Sequence, residues 1–263
     1  MFLTKPGQAI AYDHPAMRTV GVDLASQPAK TALCEVSWET QPASVAELIL
    51  GVDDATIGKR IVSADKLGID VPLGWPLAFV EAVSQHSEDG SWPSAYDHED
   101  TTAVRFRRTD LWLQKELGLH LPLSVSTDRI ALPAMRAAAL LSGLPSHVAL
   151  DGSGVVVEVY PAAALRRWGF PSQNYKGKDH EAGRRELVER FIETAAWLSI
   201  GSDELELCRR SDDAFDALVA ALVARAAAVG LVEPIPPDGQ DAALREGWIA
   251  VPCIGSLAKL THE

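Results

Sequence analysis

Three aspartates stand inside segments that are otherwise apolar, and this pattern narrows the folds that suit the chain. Asp23 lies in Thr-Val-Gly-Val-Asp-Leu-Ala, Asp70 in Leu-Gly-Ile-Asp-Val-Pro, and Asp216 in Ala-Phe-Asp-Ala-Leu-Val. An ionised carboxylate within an apolar element is costly unless it is paired, hydrogen-bonded or bound to metal. Because the three are far apart in sequence, we predict a fold that gathers them into one acidic cluster, of the kind that binds hard divalent cations.

The composition predicts an acidic protein of the cytoplasm. The chain has 263 residues, 47% of them hydrophobic, so it can bury a large core. Its net charge of −12 opposes non-specific attraction to nucleic acid or to an anionic membrane. Its three cysteines are widely spaced and odd in number, which fits neither a disulfide framework nor a zinc motif. No apolar run approaches the roughly 20 residues of a membrane span. Residues 1–16 do not resemble a signal peptide, and we interpret them as a loose extension.

Short apolar runs separated by turn residues predict an antiparallel meander near the start of the domain. The predicted strands cover residues 18–25, 30–38 and 44–51. A helix is predicted over about 53–63, and a fourth strand over 66–71.

The rest of the chain alternates helical periodicity with apolar runs. The predicted helices cover residues 76–86, 105–117, 131–142, 181–200 and 211–229, and the predicted strands cover residues 155–160 and 247–252. Residues 87–104 are acidic and interrupted by proline, which predicts an exposed loop. We therefore predict one mixed α/β domain over residues 17–263, with a helical insertion at about 87–150.

The positions of the aspartates within these elements allow two interpretations. Each alone suits a structural role: Asp23 as a turn or cap residue, Asp70 as a turn former near a proline, and Asp213 as an acid that complements the helix dipole. Asp213 and Asp216 are neighbours on their helix, and Asp216 borders its apolar stripe, so it should point toward the sheet. The order strand, meander, strand, helix favours the functional interpretation over the structural one.

That order resembles the ribonuclease H-like fold, in which a three-stranded meander is followed by helix, strand, helix and strand. The acidic residues there lie on the first strand, the fourth strand and the last helix. From about Arg18 to Pro252 the chain more closely resembles the uncharacterised bacterial and archaeal family numbered 429 among the domains of unknown function, whose members have been suggested from fold reasoning to be nucleases. The matching pieces are Gly21-Val22-Asp23-Leu24-Ala25, Asp70-Val71-Pro72-Leu73-Gly74-Trp75-Pro76, Arg107-Arg108-Thr109-Asp110, Glu158-Val159-Tyr160-Pro161-Ala162-Ala163, Tyr175-Lys176-Gly177, Asp213 to Ala220, and Glu246-Gly247-Trp248-Ile249.

The resemblance implies a mixed sheet, three antiparallel strands plus parallel ones, flanked by helices. It also implies metal binding by Asp23, Asp70, Asp216 and Asp213. The implied chemistry is hydrolysis of a phosphodiester with two divalent ions, Mg²⁺ or Mn²⁺. One ion would lower the pKa of a water and the other would stabilise the leaving oxygen. Aspartate stands at the third position, where many such enzymes have glutamate, and this shortens the reach to the metal.

Two further residues of the matching pieces are candidates for the same site. Glu158 lies in an apolar strand, where it is either a metal ligand or water-orienting group, or a residue on the solvent face of the strand. Lys176 lies beside a glycine, in a loop that either clamps a phosphate or stacks a base, or is a solvated turn.

A basic cluster precedes the middle of the chain. Arg105, Arg107 and Arg108 could bind a substrate phosphate through bidentate hydrogen bonds. The alternative is a helix surface on which they form ion pairs with Asp110 and Glu116, and this is slightly favoured for at least two of the three.

Three functions compete. The leading hypothesis is a metal-dependent phosphodiester hydrolase that acts on nucleic acid, although the acidic charge suits a small phosphorylated or nucleotide-like substrate better. The second is a protein of the same fold that binds metal or ligand without catalysis. The third, a sugar-kinase or actin-like phosphotransferase, is disfavoured because no glycine-rich phosphate loop follows Asp23. The sequence predicts no membrane partner and sets no oligomeric state.

Overall fold

A seven-stranded mixed sheet forms the centre of the protein. The computed structural model describes residues 17–39, 42–93 and 96–261, so the extension predicted at residues 1–16 lies outside the described part. The strands are β1 (Arg18–Asp23), β2 (Ala32–Ser37), β3 (Ala43–Leu50), β4 (Lys66–Asp70), β5 (Val156–Val159), β6 (Leu198–Ser199) and β7 (Ile249–Ala250). Their order is β6-β3-β2-β1-β4-β5-β7. β1, β2 and β3 are antiparallel and the other neighbouring pairs are parallel, which confirms the predicted meander and is consistent with a ribonuclease H-like fold.

Ten α-helices accompany this sheet in the described residues. They are α1 (Asp54–Ser63), α2 (Leu77–Asp89), α3 (Thr102–Arg105), α4 (Arg108–Lys115), α5 (Ala131–Ser142), α6 (Pro161–Arg167), α7 (Glu181–Thr194), α8 (Ser202–Arg210), α9 (Asp212–Ala228) and α10 (Gln240–Glu246). Four of them, α2 to α5, lie between β4 and β5. None of the helices in the described ranges is long and apolar enough to cross a membrane.

The helix predicted over residues 105–117 is wrong as a single element. α3 ends at Arg105 and α4 begins at Arg108. The break arises because the Asp110 carboxylate accepts a hydrogen bond of 2.9 Å from the N–H of Arg107, and this bond caps the start of a new helix. The loop predicted over 87–104 is likewise shorter, since α2 and α3 both extend into it.

The helix predicted over residues 181–200 is also too long. It ends at Thr194, and Leu198 and Ser199 instead pair in parallel with the start of β3. Pairing with a distant strand overrides the local helical periodicity. Helices α6, α8 and α10 were not expected, because each is short and its burial depends on partners elsewhere in the chain.

Helix α9 packs directly on the centre of the sheet. A Cβ atom added to Gly21 of β1 would lie 2.0 Å from the backbone oxygen of Ala217, and one added to Gly68 of β4 would lie 2.5 Å from that of Ala220. Residues without side chains therefore let the helix backbone touch β1 and β4. This close approach fixes where the polar start of α9 lies relative to the strand ends.

The opposite face of the sheet is covered by α1 and α5. Apolar side chains from both helices pack in one cluster with Val20 and Val22 of β1, with Leu24 just after β1, and with residues of β4. The two faces thus hold separate apolar cores, one around α9 and one around α1 and α5. Carboxylates at the ends of β1 and β4 lie at the edge of this sandwich.

Candidate functional site

The strand alternation directs Asp23 and Asp70 toward α9. Side chains two residues apart on a strand share a face, so Asp23 lies on the side of Gly21, and Asp70 on the side of Gly68. Both glycines face α9. The two aspartates are also direct partners in the parallel register of β1 and β4, and neighbouring strands are about 4.8 Å apart. The pair Gly-x-Asp in two strands is a signal that sequence reasoning missed.

Asp216 comes from the first turns of α9 and completes the cluster. Its side chain is 1% exposed, and its Oδ1 accepts a hydrogen bond of 2.8 Å from the Tyr175 hydroxyl. The Lys176 ammonium lies 2.5 Å from Oδ2 and forms an ion pair with it. About half of the Lys176 side chain is exposed. One oxygen of Asp216 therefore accepts a hydrogen bond from Tyr175, while the other pairs with the half-exposed Lys176.

The backbone that carries Lys176 is held on both sides. The buried Arg184 of α7 donates to the carbonyl oxygens of Tyr175 at 2.7 Å and Gly177 at 3.0 Å. The N–H of Gly177 in turn donates to the Asp212 carboxylate at 3.1 Å. Gly177 has a φ of 86°, which a residue with a side chain rarely adopts. These contacts fix the loop, so the position of Lys176 is a property of the fold.

Burial and mutual repulsion raise the pKa of all three aspartates. Burial, with the charges of Asp70 and Asp216, raises the pKa of Asp23 well above its usual range. Burial raises the pKa of Asp70 to about 7, although Lys176 opposes the change. Burial raises the pKa of Asp216 too, again against Lys176. Burial disfavours the charged lysine, but Asp216 above all raises the pKa of Lys176 and keeps it protonated. The charge of Lys176 therefore does not balance the negative charge that the three ionised aspartates would carry.

A cavity of about 420 Å³ opens beside these residues. Asp23, Asp70 and Lys176 contribute to its wall, together with Tyr160 and Arg129. Much of the remaining wall is apolar and comes from Pro122, Leu123, Ile130 and Pro133, between β4 and β5. A volume of this size is typical of small-molecule sites.

Glu158 and Arg107 also line the cavity but are bound to each other. The Arg107 guanidinium donates to both Glu158 oxygens at 2.7 Å, and to Asp110 at 2.9 and 3.2 Å. The N–H of Leu73 adds a 3.0 Å bond to Glu158. All three charged groups are buried, so the surface alternative does not apply to Arg107, although its ion pair with Asp110 forms. The network ties the segment before α4 to β5.

Three other predicted residues lie around or away from the cavity. Arg108 forms a surface ion pair with Asp238, and the Arg105 guanidinium lies 4.9 Å from the ring centroid of Phe106. Neither contributes to the cavity wall in the described part of the chain. Asp213 is half-buried one turn before Asp216, and burial together with the charges of Asp212 and Asp216 raises its pKa.

The order of these elements and motifs is matched by one known family. The profile described as "Protein of unknown function (DUF429)" matches residues 21–242. The chain belongs to this family. Comparisons with curated proteins and with solved structures gave no match. The match begins within β1 and ends within α10, and it includes Asp23, Asp70, Lys176 and Asp216.

The oxygen donors of this DUF429 site are of the kind that hard divalent cations prefer, but the three side chains are not arranged around a common point. Asp23, Asp70 and Asp216 offer only carboxylate oxygens, and buried Oδ2 of Asp216 lacks a directed hydrogen bond. Within the residues that the structure describes, no three acidic, histidine or cysteine side chains are arranged as a coordination sphere. The cation that Asp216 meets is Lys176. A metal would therefore share or replace this contact.

Sequence reasoning missed three residues that build the DUF429 site. Tyr175 lay in a matching piece but was given no role, and its hydroxyl orients Asp216. Arg184 clamps the loop, and its place on the apolar stripe of α7, three residues before Leu187, was an available signal. Arg129 lines the cavity, but its contribution depends on tertiary placement, so no local pattern pointed to it.

Proposed function

We propose that this protein is a metal-dependent phosphodiester hydrolase with its centre at Asp23, Asp70 and Asp216. The observation that carries the proposal is the register of β1 and β4, which sets Asp23 beside Asp70 and turns both toward α9 and Asp216. The buried Asp216 and the partly buried Asp23 and Asp70 all have raised pKa values, and together they form a site that is short of positive charge. Such an arrangement is costly for stability, which is typical of functional sites.

The three aspartates would hold Mg²⁺ or Mn²⁺, which supplies Lewis acidity for a water and a leaving oxygen when bound. Tyr175 and Lys176 would orient the cluster and bind the substrate. Tyr175 donates a hydrogen bond to Oδ1 of Asp216 and so holds this buried carboxylate in place beside the cavity-lining Lys176. Lys176, half exposed beside the cluster, is placed to bind a non-bridging phosphate oxygen. Asp213 is half-buried one turn before Asp216 and adds negative charge to the cluster, so we assign it a supporting role.

The proposal leaves Glu158 and Arg107 out of the reacting set. Each Glu158 oxygen already accepts from Arg107, and breaking a buried ion pair costs about 3–5 kcal/mol. We assign both a positioning role, because their network connects the segment before α4 with the strand that forms the cavity wall.

One observation favours a second candidate, a ligand-binding protein without catalysis. The Lys176–Asp216 ion pair partly neutralises the carboxylates, so the site is able to exist without metal. The two candidates differ in whether the protein hydrolyses a phosphodiester when Mn²⁺ is supplied.

Calorimetric titration with Mn²⁺ tests the proposal, with inorganic phosphate absent and then present. We expect binding to the wild type and none to Asp23→Asn, while the exposed Asp241→Asn serves as the matched control. Hydrolysis of bis(4-nitrophenyl) phosphate should then require Mn²⁺ and fall by about 100-fold or more in Asp23→Asn, the usual scale for loss of one electrostatic group. Mn²⁺ binding that survives Asp23→Asn, or no binding in either buffer, rejects the proposal.

A further inference from the structure

Two arginines on the walls of the cavity system lack partners. The guanidinium of Arg129 is exposed and lines the 420 Å³ cavity. That of Arg166, on α6, is exposed and lines a side pocket of about 90 Å³. Neither side chain makes a hydrogen bond, ion pair or ring contact with any residue in the ranges 17–39, 42–93 and 96–261. Because arginine presents five donors in a planar fork, it is suited to bind a phosphate.

The side pocket adjoins the main cavity. Tyr160, Ala162 and Ser172 line both, so the two spaces share a wall. His120, hydrogen-bonded to Gln173 at 2.8 Å, adds a polar group to the side pocket. A ligand that extends from the main cavity past Tyr160 and Ser172 would contact both the carboxylate cluster and Arg166.

The count of available cations limits the number of phosphates that the site can hold. Among the cationic side chains that line the two spaces, Arg107 is already paired with Glu158 and Asp110. Lys176 meets Asp216, which leaves Arg129 and Arg166 without partners among the described residues. A polynucleotide groove instead neutralises a phosphate at each step along the strand and shows a broad basic face. A chain with a net charge of −12 and this short set of cations suits a short ligand.

The apolar wall provides the other half of a small ligand's contacts. The cavity is lined by Pro122, Leu123, Ile130 and Pro133, which belong to the chain segment that joins β4 to β5. Leu123 is exposed there. Binding pockets for small molecules combine an apolar lining with a few placed polar groups. A planar base or another apolar group fits this wall while its phosphates face the cations.

We infer that the site takes a small phosphodiester of about dinucleotide size, and that Arg129 and Arg166 bind its phosphates. This inference rests on the proposed function in taking a phosphodiester as the reacting group. It adds the size of the substrate and two residues that select it. A long nucleic acid is the competing ligand, and the test distinguishes the two.

The experiment measures binding of 5′-phosphorylated dithymidylate by calorimetry at 4 °C, in EDTA and separately in Mn²⁺. We expect Arg129→Gln and Arg166→Gln each to weaken binding about 10- to 100-fold, the usual value of one charge-assisted hydrogen-bonded contact. Arg129→Lys should retain part of the affinity. Arg245→Gln, on the exposed side of α10, is the matched control and should leave binding unchanged. Both tested side chains are exposed and unpaired, so their loss should not change the melting temperature.

Ligand length gives the second readout. Dodecathymidylate should show the same dependence of affinity on salt as the dinucleotide, since only the part within the cavity meets cations. A steeper dependence for the longer strand, by about 0.7 per additional phosphate neutralised, would overturn the inference. So would undetectable dinucleotide binding to the wild type, or binding that neither Arg→Gln substitution weakens. Hydrolysis with Mn²⁺ but without any role for Arg129 and Arg166 would reject the inference and leave the proposed function standing. Dinucleotide binding that depends on Arg129 and Arg166, without any binding of Mn²⁺, would support the role of the two arginines and reject the proposed function.

Discussion

Replacing Asp70 with asparagine should stabilise the metal-free protein at pH 8. Burial raises the pKa of Asp70 from 3.8 to about 7 in the folded protein. Each tenfold change in an ionisation constant corresponds to about 1.4 kcal/mol, so this displacement corresponds to about 4 kcal/mol at most. Asp70 is partly exposed to solvent, which screens its charge, and we therefore expect a gain of about 2 kcal/mol.

The direction of the pH dependence follows from which state binds the proton. Between pH 4 and pH 7 the folded protein retains a proton on Asp70 that the unfolded chain has lost, so stability falls as the pH rises through this interval. Asparagine removes this dependence because it does not ionise. The difference in stability between variant and wild type should thus be small at pH 4.5 and fully developed at pH 8.

Thermal unfolding followed by circular dichroism in EDTA measures the effect. A gain of about 2 kcal/mol corresponds to roughly 4–8 °C for a chain of this length. The exposed Asp241→Asn should give no change at either pH. An unchanged or lower melting temperature for Asp70→Asn at pH 8 would refute the reasoning. Equal gains at pH 4.5 and pH 8 would refute it as well, since they would show that the gain is not electrostatic.

Three further predictions concern the supports of the site, each measured by urea unfolding. Gly21→Ala should cost about 3 kcal/mol or more, because its Cβ overlaps the backbone of α9, whereas Gly58→Ala in α1 meets open space and should stabilise by up to about 1 kcal/mol. Glu158→Gln should cost about 3 kcal/mol, because the buried Arg107 loses one of its two ion-pair partners and keeps only Asp110. Lys176→Met should lower stability in EDTA more at pH 8 than at pH 5, because it leaves the buried Asp216 carboxylate without its cation; equal losses would contradict an electrostatic role.

The parts of the fold that follow local rules were predictable from the sequence. The meander, α1, β4 and α5 carry periodic apolar residues bounded by turn residues, and all were placed to within a few residues. The three aspartates were also identifiable, because a carboxylate in an apolar segment is costly unless it is paired, hydrogen-bonded or bound to a ligand. What brings them together is Gly21 and Gly68, whose role is visible only once α9 is known to touch them.

The rest of the site depends on partners that local patterns do not reveal. Arg107 and Asp110 read as a surface ion pair at helical spacing, and only Glu158, 51 residues from Arg107, makes their burial possible. The clamp of Arg184 on the Lys176 loop similarly joins α7 to residues that precede it. Charged residues of this kind are buried only where distant groups satisfy them, so their role is decided by tertiary structure.

The fixed position of Lys176 also changes the form that metal dependence should take. Its backbone is clamped through Arg184 and Gly177, so the loop does not need to open for a metal to enter; only the flexible side chain must swing away from Asp216. A divalent ion that displaces the ammonium gains three carboxylates but frees a lysine, and a substrate phosphate is the natural acceptor for that lysine.

Metal and phosphate should therefore strengthen each other's binding, and by linkage the two enhancements must be equal. Mn²⁺ titrations with and without inorganic phosphate measure one side of this equality, and phosphate titrations with and without Mn²⁺ measure the other. Independent binding of the two would mean that Lys176 remains on Asp216 throughout.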